Sequence, residues 1–375
     1  MARAIGWGDT MQDATQSEPL TEWRGTPHER YEWLDRARGV VVLMYVISII
    51  LAAVKGNVLL GEPPLGPTYL NHGYAYFNGY PAIITLIDAG QMMFIFIVGF
   101  AGYIAFQSRL EKRGAVAAWR YAGRRVAGLY ALSILGETVI LPLTGDERHW
   151  NLALYNGVLS RIAIGALVAY LAVYFIRNAN RRMAVSVAML IVHAFLFASY
   201  AFDRNPWFDD ILQLPPFPFG VWSMAACAVA GTAFSEWLLR DPSAIQEAFR
   251  DRVVPAGTMS FVAAYCMEWL QPAEHQDVTA GLALLAIGLS AHMVATAYAF
   301  QTFGWGSRIL RMMGRNLLLL FVITAIGVDM YVRFVVSTLS PMHPYVALAL
   351  VGVLPIAAIM WIATLLDKKN IVIRV

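Results

Sequence analysis

Ten apolar runs, each close to the ~20 residues that cross a bilayer as helix, alternate with polar connections along the chain. They lie near 39–60, 82–106, 126–143, 152–176, 183–202, 217–239, 253–270, 278–303, 316–338 and 344–366. The seventh is the most interrupted, with Pro255 and Gly257 at its start and Glu268 near its end. Ahead of the first run, residues 1–37 are rich in Glu, Arg, Gly and Thr and hold no apolar stretch, so they read as a soluble tail rather than a secretory leader. A short interfacial helix is expected around Tyr31–Arg38. The pattern predicts an all-α fold: a polytopic integral membrane bundle of about ten helices. It divides the chain into an N-terminal tail (1–37), a membrane domain (38–367) and a C-terminal tail (368–375).

Composition sharpens this picture. The chain is 58% apolar and 14% charged, where ordinary globular chains carry about 25% charged residues. A mean hydropathy of +0.55 and 11 Trp with 17 Tyr suit a chain solvated by lipid with aromatic interface belts. Disorder, a collagenous chain and a soluble nucleic-acid binder are excluded, and a net charge of +3 implies no polyanionic partner. Both cysteines, Cys227 and Cys266, sit inside apolar runs, which leaves neither a disulfide framework nor a thiolate metal site.

The basic residues orient the bundle. Of the 28 Lys and Arg, 23 fall in the tails and in alternate connections; the exceptions are Lys55, Arg148, Arg161, Arg204 and Arg333. The positive-inside rule makes that side cytoplasmic, so both termini are inside and the number of spans is even. The opposite loops carry His72, His149, His275 and His343 with Asn71, Asn78 and several Tyr. That is a polar, aromatic rim suited to a carbohydrate or polar headgroup. No internal repeat is visible, so the inverted-repeat signature of secondary transporters is missing.

Ionisable residues inside a span cost roughly 2.5–3.5 kcal/mol each and therefore mark candidate function. They are Asp88, Glu137, Arg161, His193, Glu236, Glu268, His292, Asp329 and Arg333. Asp329 and Arg333, four apart on one face, read as a structural ion pair. Glu236 and Glu268 are near enough to span ends to reach the interface, and the two histidines read as core residues satisfied by a hydroxyl or carbonyl. Asp88, Glu137 and Arg161 read as a charge cluster lining one water-filled cavity. Metal-binding, Walker, GxSxG and dinucleotide motifs are all missing, so no metal is expected.

Five segments, in order, resemble one family. They are Leu34–Val40 (LDRARGV), Asp88–Gly99 (DAGQMMFIFIVG), Asn156–Ile162 (NGVLSRI), Pro215–Trp222 (PPFPFGVW) and Met313–Leu319 (MGRNLLL). Together they resemble the heparan-alpha-glucosaminide N-acetyltransferase-like family of transmembrane acyltransferases, over nearly the whole membrane part. That family has a Pro after the Asp, replaced here around Gln91, and a Gln before the Arg, replaced by Ser160. The resemblance implies transfer of an acyl group, usually acetyl, from cytoplasmic acetyl-CoA or another acyl-CoA to a sugar or glycan acceptor on the outer side. It also implies an essential His in the first outer loop, which is His72, followed by Asn78-Gly79 and Asp88 at wider spacing than in the family. An Asn before that His takes part, and either Asn57 or Asn71 fills the place.

On this reading His72 is the general base or an acyl-carrying nucleophile. Asn57, Asn71 or Asn78 donates to the thioester oxygen, and Asp88 orients the imidazole. Arg38, Arg125, Arg161, Arg315 and Asn316 are the candidate cofactor contacts. The bilayer, acyl-CoA and the glycan acceptor are the expected partners, with a homodimer left open, and a bacterial plasma (inner) membrane is the expected location. A competing expectation is a transporter or flippase for a polar or lipid-linked substrate, dependent on Asp88, Glu137 or Arg161 instead of His72. A third is a scaffold for an envelope complex that binds through residues 1–37.

Overall fold

The computed structural model describes residues 32–56, 86–140, 153–154, 157–201, 219–268, 278–300, 307–339, 346 and 348–372. Every regular element among these residues is helical. The first helix, α1 (Glu32–Gly56), places Glu32 and Asp35 in its first turn, where carboxylates oppose the positive end of the helix dipole. It takes in the stretch expected to form an interfacial helix and continues without a break into the first apolar run.

The second and third apolar runs form one helical stretch, α2 (Leu86–Leu135), broken only at Gly114 (φ 76°, ψ 175°). The expected connection, 107–125, is helical because its Leu, Glu, Lys, Arg and Ala residues propagate a helix whatever their polarity. Only a glycine takes the positive φ at Gly114 without strain. The chain folds back there: the rings of Phe106 and Trp119 are 5.4 Å apart, whereas a straight helix would separate them by ~20 Å. A wide, π-helical turn, Gly136–Ile140, follows the returning arm.

Next come α3 (Val158–Phe175), α4 (Ala179–Ala201) and α5 (Phe219–Leu239). Short turns (Pro242–Ala244, Ile245–Ala248 and Phe249–Val253) lead to α6 (Val254–Glu268) and then α7 (Ala280–Ala299). An extra helix, α8 (Ser307–Arg315), precedes the ninth run. The chain bends by 85° between it and α9 (Leu317–Val322). A π-helical turn, Ile323–Val328, joins α9 to α10 (Asp329–Leu339). Another, Leu348–Val353, opens the last helix, α11 (Leu354–Lys368).

Among the described residues, five helical stretches are long and apolar enough to cross a membrane, or six if the bent α8–α9 unit counts as one span. Large apolar side chains lie exposed on several helices: Ile191 and Phe195 on α4, Met259 and Val262 on α6, and Trp361 on α11. A water-soluble protein does not present so much apolar surface. The chain has the character of an integral membrane protein.

Four helices run side by side in one direction at the centre. Ile95 on the first arm of α2 lies against Gly165 of α3, and Phe106 further along stacks on Tyr170, 5.2 Å between centroids. Arg161 and Gly165 of α3 meet Gly220 and Ala228 of α5 in the same sense. Ser223 and Cys227 of α5 reach the carbonyls of Val278 and Ala283 at the start of α7. The returns are antiparallel: Ser186 of α4 bonds Ala226 of α5, while Asn180 receives the Trp237 indole N–H. Where α2 and α5 touch, a β-carbon on Gly99 would overlap the Ala228 carbonyl, and one on Gly231 the Phe96 carbonyl. Small residues let membrane helices come this close. Tyr45 and Phe94 both pack on Phe321 and tie this core to the second one, formed by α1 and α8–α11.

At the end of α5 the Asp241 carboxylate accepts from the Ser243 N–H (2.9 Å) and hydroxyl (2.5 Å), capping the next turn. The Ser243 bonds hold this exposed carboxyl below its usual value. A depressed folded-state pKa adds stability that is present above the ordinary Asp value and lost as pH falls through the lower one. Asp241→Ala is therefore expected to speed amide exchange across 242–248 at pH 7. Acidification below pH ~4 should do the same in the wild type.

Candidate functional site

The first and last family-like segments cross at backbone contact. A β-carbon on Gly39 would overlap the carbonyl of Leu310, and one on Gly314 the carbonyl of Asp35. Around this crossing, Arg38 donates to Asp35 (2.8 Å), and Glu32 takes both Arg36 (3.2 Å) and Arg311 (2.5 Å). Arg315 pairs with Asp367, and the buried Asn316 amide donates to the Ile371 carbonyl (3.1 Å). Burial raises the Asp35 carboxyl, which lies ahead of the first apolar run, with Arg38 and then Arg315 opposing it. Glu32–Arg311 thus fastens α1 to α8, and Arg315 and Asn316 fasten α8 to the C-terminal segment, while Arg38 pairs within α1.

The remaining three segments gather in the central bundle. Asp88 falls in the first turn of α2 and Arg161 in the first turn of α3. The buried Arg161 guanidinium lies against Gly220 at the start of α5, where an added β-carbon would sit 3.4 Å from its Cζ and 3.1 Å from Val278 Cγ2. Val278 closes this corner in a left-handed conformation (φ 50°). That is strained for a β-branched residue, and such strain collects at ligand clamps and active sites. Its carbonyl accepts from Ser223 Oγ (2.5 Å), and Thr279 beside it accepts from the Leu282 N–H (3.5 Å).

The N-terminal ends of four parallel helices therefore meet at one end of the bundle, where their dipoles add to the Arg161 charge. The returning arm of α2 ends in the turn that holds Glu137. His72, Asn57, Asn71 and Asn78 lie outside the described residues, as do His149, His275 and His343. Asp88, Glu268, Asp329 and Arg333 are placed only by their helices.

A second set of groups lies at the other end, ~14 Å along α3 by the nine-residue rise from Arg161 to Tyr170. Arg125 donates to the Tyr121 hydroxyl (3.0 Å), and the Arg109 guanidinium stacks on the face of the same ring, 4.0 Å from its centroid. Tyr170, buried, meets Tyr121 edge-on at 6.3 Å. Of the sequence candidates, Arg125 belongs here and Arg161 to the opposite end.

Arg182 was counted only among the cytoplasmic charges, yet it is the bulkiest fully buried side chain among the described residues. It pairs with Glu236 (2.5 Å), donates to the Ile176 and Thr232 carbonyls (2.9 and 3.2 Å), and lies 5.0 Å over the Tyr103 ring. Glu236 is thus buried in an ion pair rather than drawn out to the interface. The sequence signal was weak: two opposite charges at matching ends of neighbouring spans. His292 sits 2.8 Å from the Gly288 carbonyl through Nδ1 and 3.4 Å from the Thr258 hydroxyl through Nε2. That carbonyl only accepts, so Nδ1 carries the proton and Thr258 donates. His292 is half-buried rather than in the core, and a carbonyl and a hydroxyl satisfy it. Among the described residues no cluster of His, Cys, Asp and Glu is arranged to hold a metal ion.

Compared with known proteins, no protein-family model and no curated sequence matches the chain.

Proposed function

We propose that the chain is a transmembrane acyltransferase that passes an acyl group, acetyl in the simplest case, from cytoplasmic acyl-CoA to a sugar or glycan acceptor on the outer side. The observation that carries this reading is the packing of the family-like segments in two separate groups. Residues 34–40 and 313–319 meet at the Gly39–Gly314 crossing. The described parts of the other three, residues 88–99, 157–162 and 219–222, lie in or at the start of three of the four parallel central helices, at the Arg161 end.

With ten spans and both termini inside, the Arg161 end faces outward and the Arg125 end faces the cytoplasm. Phosphates of the acyl carrier then stay at the basic end, which no polyanion need cross, while the thioester reaches toward the outer loop. There the acceptor amine or hydroxyl attacks the thioester carbonyl, His72 takes its proton, and the C–S bond breaks to release the thiolate, which the same proton neutralises. An acyl-His72 intermediate is the two-step version of this transfer. Positive helix ends and Arg161 stabilise the oxyanion. The proposed setting is a bacterial plasma (inner) membrane.

Transfer of labelled acetyl from acetyl-CoA to a panel of amino sugars and glycans, with purified protein in nanodiscs, tests the reading. His72→Ala is expected to lower the rate at least 100-fold with unchanged thermal stability. A folded His72→Ala protein that transfers at the wild-type rate defeats the assignment. Uptake of a polar solute that needs Arg161 but not His72 would favour a transporter instead.

A further inference from the structure

The geometry points to a phosphate-binding site between the two arms of α2, built from Arg109, Arg125, Tyr121 and Tyr170. The two arginines hold opposite parts of a single phenol: Arg109 its face, 4.0 Å from the centroid, and Arg125 its hydroxyl, at 3.0 Å. Both act electrostatically on the buried Tyr170 as well. The remaining polar contact of Arg109 is its own helix carbonyl, Ala105, at 2.7 Å. Arg125 Nε is buried and makes no hydrogen bond among the described residues. Neither guanidinium has a carboxylate within ion-pair distance among those residues.

Five other buried or half-buried arginines contrast with these two. Arg36, Arg38, Arg182, Arg311 and Arg315 each have a carboxylate partner. Two half-buried cations facing neutral phenols repel each other and lack a counter-charge, an arrangement that costs free energy until an anion arrives. The guanidinium fork matches a phosphate better than any other common anion. The phenol hydroxyls supply further donors to a phosphate oxygen.

The fold explains why these groups meet. Gly114 reverses α2 so that positions 109 and 125, sixteen apart in sequence, flank one ring. Gly102 leaves room for Tyr170, whose ring would lie 3.1 Å from a β-carbon there. Lys112, Arg113, Arg120 and Arg124 on the same hairpin add a positive approach surface. Two sources carry this chemistry to a charged bundle end: the nucleotide phosphates of coenzyme A and the headgroup of an acidic phospholipid. The first of these rests on the acyltransferase reading, and the second does not.

The test titrates CoA and dephospho-CoA, which lacks the 3′-phosphate, into purified protein by calorimetry. Native mass spectrometry with added phosphatidylglycerol or phosphatidylcholine forms the second arm. The proteins are wild type, Arg109→Gln/Arg125→Gln and, should that pair fold poorly, Tyr121→Phe, with thermal midpoints as the folding control. At least tenfold tighter binding of CoA than dephospho-CoA, lost in the double variant, supports the site with the nucleotide as source. Phosphatidylglycerol adducts in excess of phosphatidylcholine, lost in the same variant, support it with lipid as source. That result from a wild type that binds no CoA keeps the site and defeats the acyltransferase reading. Unchanged CoA and lipid binding in a folded variant overturns the site and leaves that reading standing.

Discussion

Gly314→Val is expected to leave almost no folded protein in the membrane fraction, while Gly123→Ala folds as well as the wild type or slightly better. The two substitutions separate packing from propensity. At Gly314 an added β-carbon would overlap the Asp35 carbonyl and approach the Gly39 N at 3.0 Å. These are backbone atoms of another helix, with no flexible side chain to swing aside, so α1 and α8 must part. Overpacking in ordinary cores costs about 1–3 kcal/mol, and separating a helix pair at its closest point exceeds that range. Parting them also pulls on Glu32–Arg311 and on Arg315–Asp367. Gly123 has nothing within 4 Å of its would-be β-carbon, so alanine there gains roughly 0.5–1 kcal/mol of helix propensity. Fluorescence-detected size exclusion of both variants checks this. A Gly314→Val protein that elutes and melts as the wild type does would mean that the α1–α8 crossing is not the one described.

The second large effect is expected at Arg182 and Glu236. Glu236→Leu leaves a fully buried guanidinium with carbonyl partners and a phenol ring but no counter-charge. Removing one member of a buried pair costs about 3–5 kcal/mol, or roughly 5–10 °C in the melting midpoint of a large domain. Arg182→Met strands the carboxylate instead and is expected to cost about as much. The double variant Arg182→Met/Glu236→Leu replaces both charges with apolar groups and should recover most of the loss, because desolvation is then no longer opposed. Thermal unfolding of the four proteins in one detergent gives the coupling. Additive losses in the double variant would show that the two residues act separately.

Both sites show where the sequence could be read and where it could not. Apolar run length marks where described helices fall, since lipid leaves the backbone little other way to satisfy its hydrogen bonds. Only five stretches among the described residues, or six with the bent unit, are long and apolar enough to cross a membrane. Run length does not reveal Gly114, because the residues around it are good helix formers, and a positive φ shows only in coordinates. Nor does it reveal α8, whose arginines break the apolar run while its Ile309, Leu310, Met312 and Met313 still pack as a helix. Charge counting places Arg182 in the connection ahead of the fifth apolar run, whereas in the structure it lies in α4 beside the exposed Arg181 and is buried against Glu236 of α5.

Among the candidate contacts, Arg315 and Asn316 have partners far from them in sequence, whereas Arg38 pairs with Asp35 three residues earlier on the same helix face. No local pattern predicts Asp367 or Ile371 as partners. Arg161 was legible as a costly buried charge. What the sequence lacked was Gly220 and the strained Val278 against it, which come from two other helices. The His72 loop rests on the resemblance alone.

The most direct test of the acyltransferase account is acetyl-CoA binding to the purified full-length chain, measured by calorimetry in detergent for wild type and His72→Ala. Saturable binding in both proteins is predicted, with free CoA released on addition of an amino-sugar acceptor by the wild type alone. Failure of the wild type to bind acetyl-CoA or any longer acyl-CoA would contradict the account.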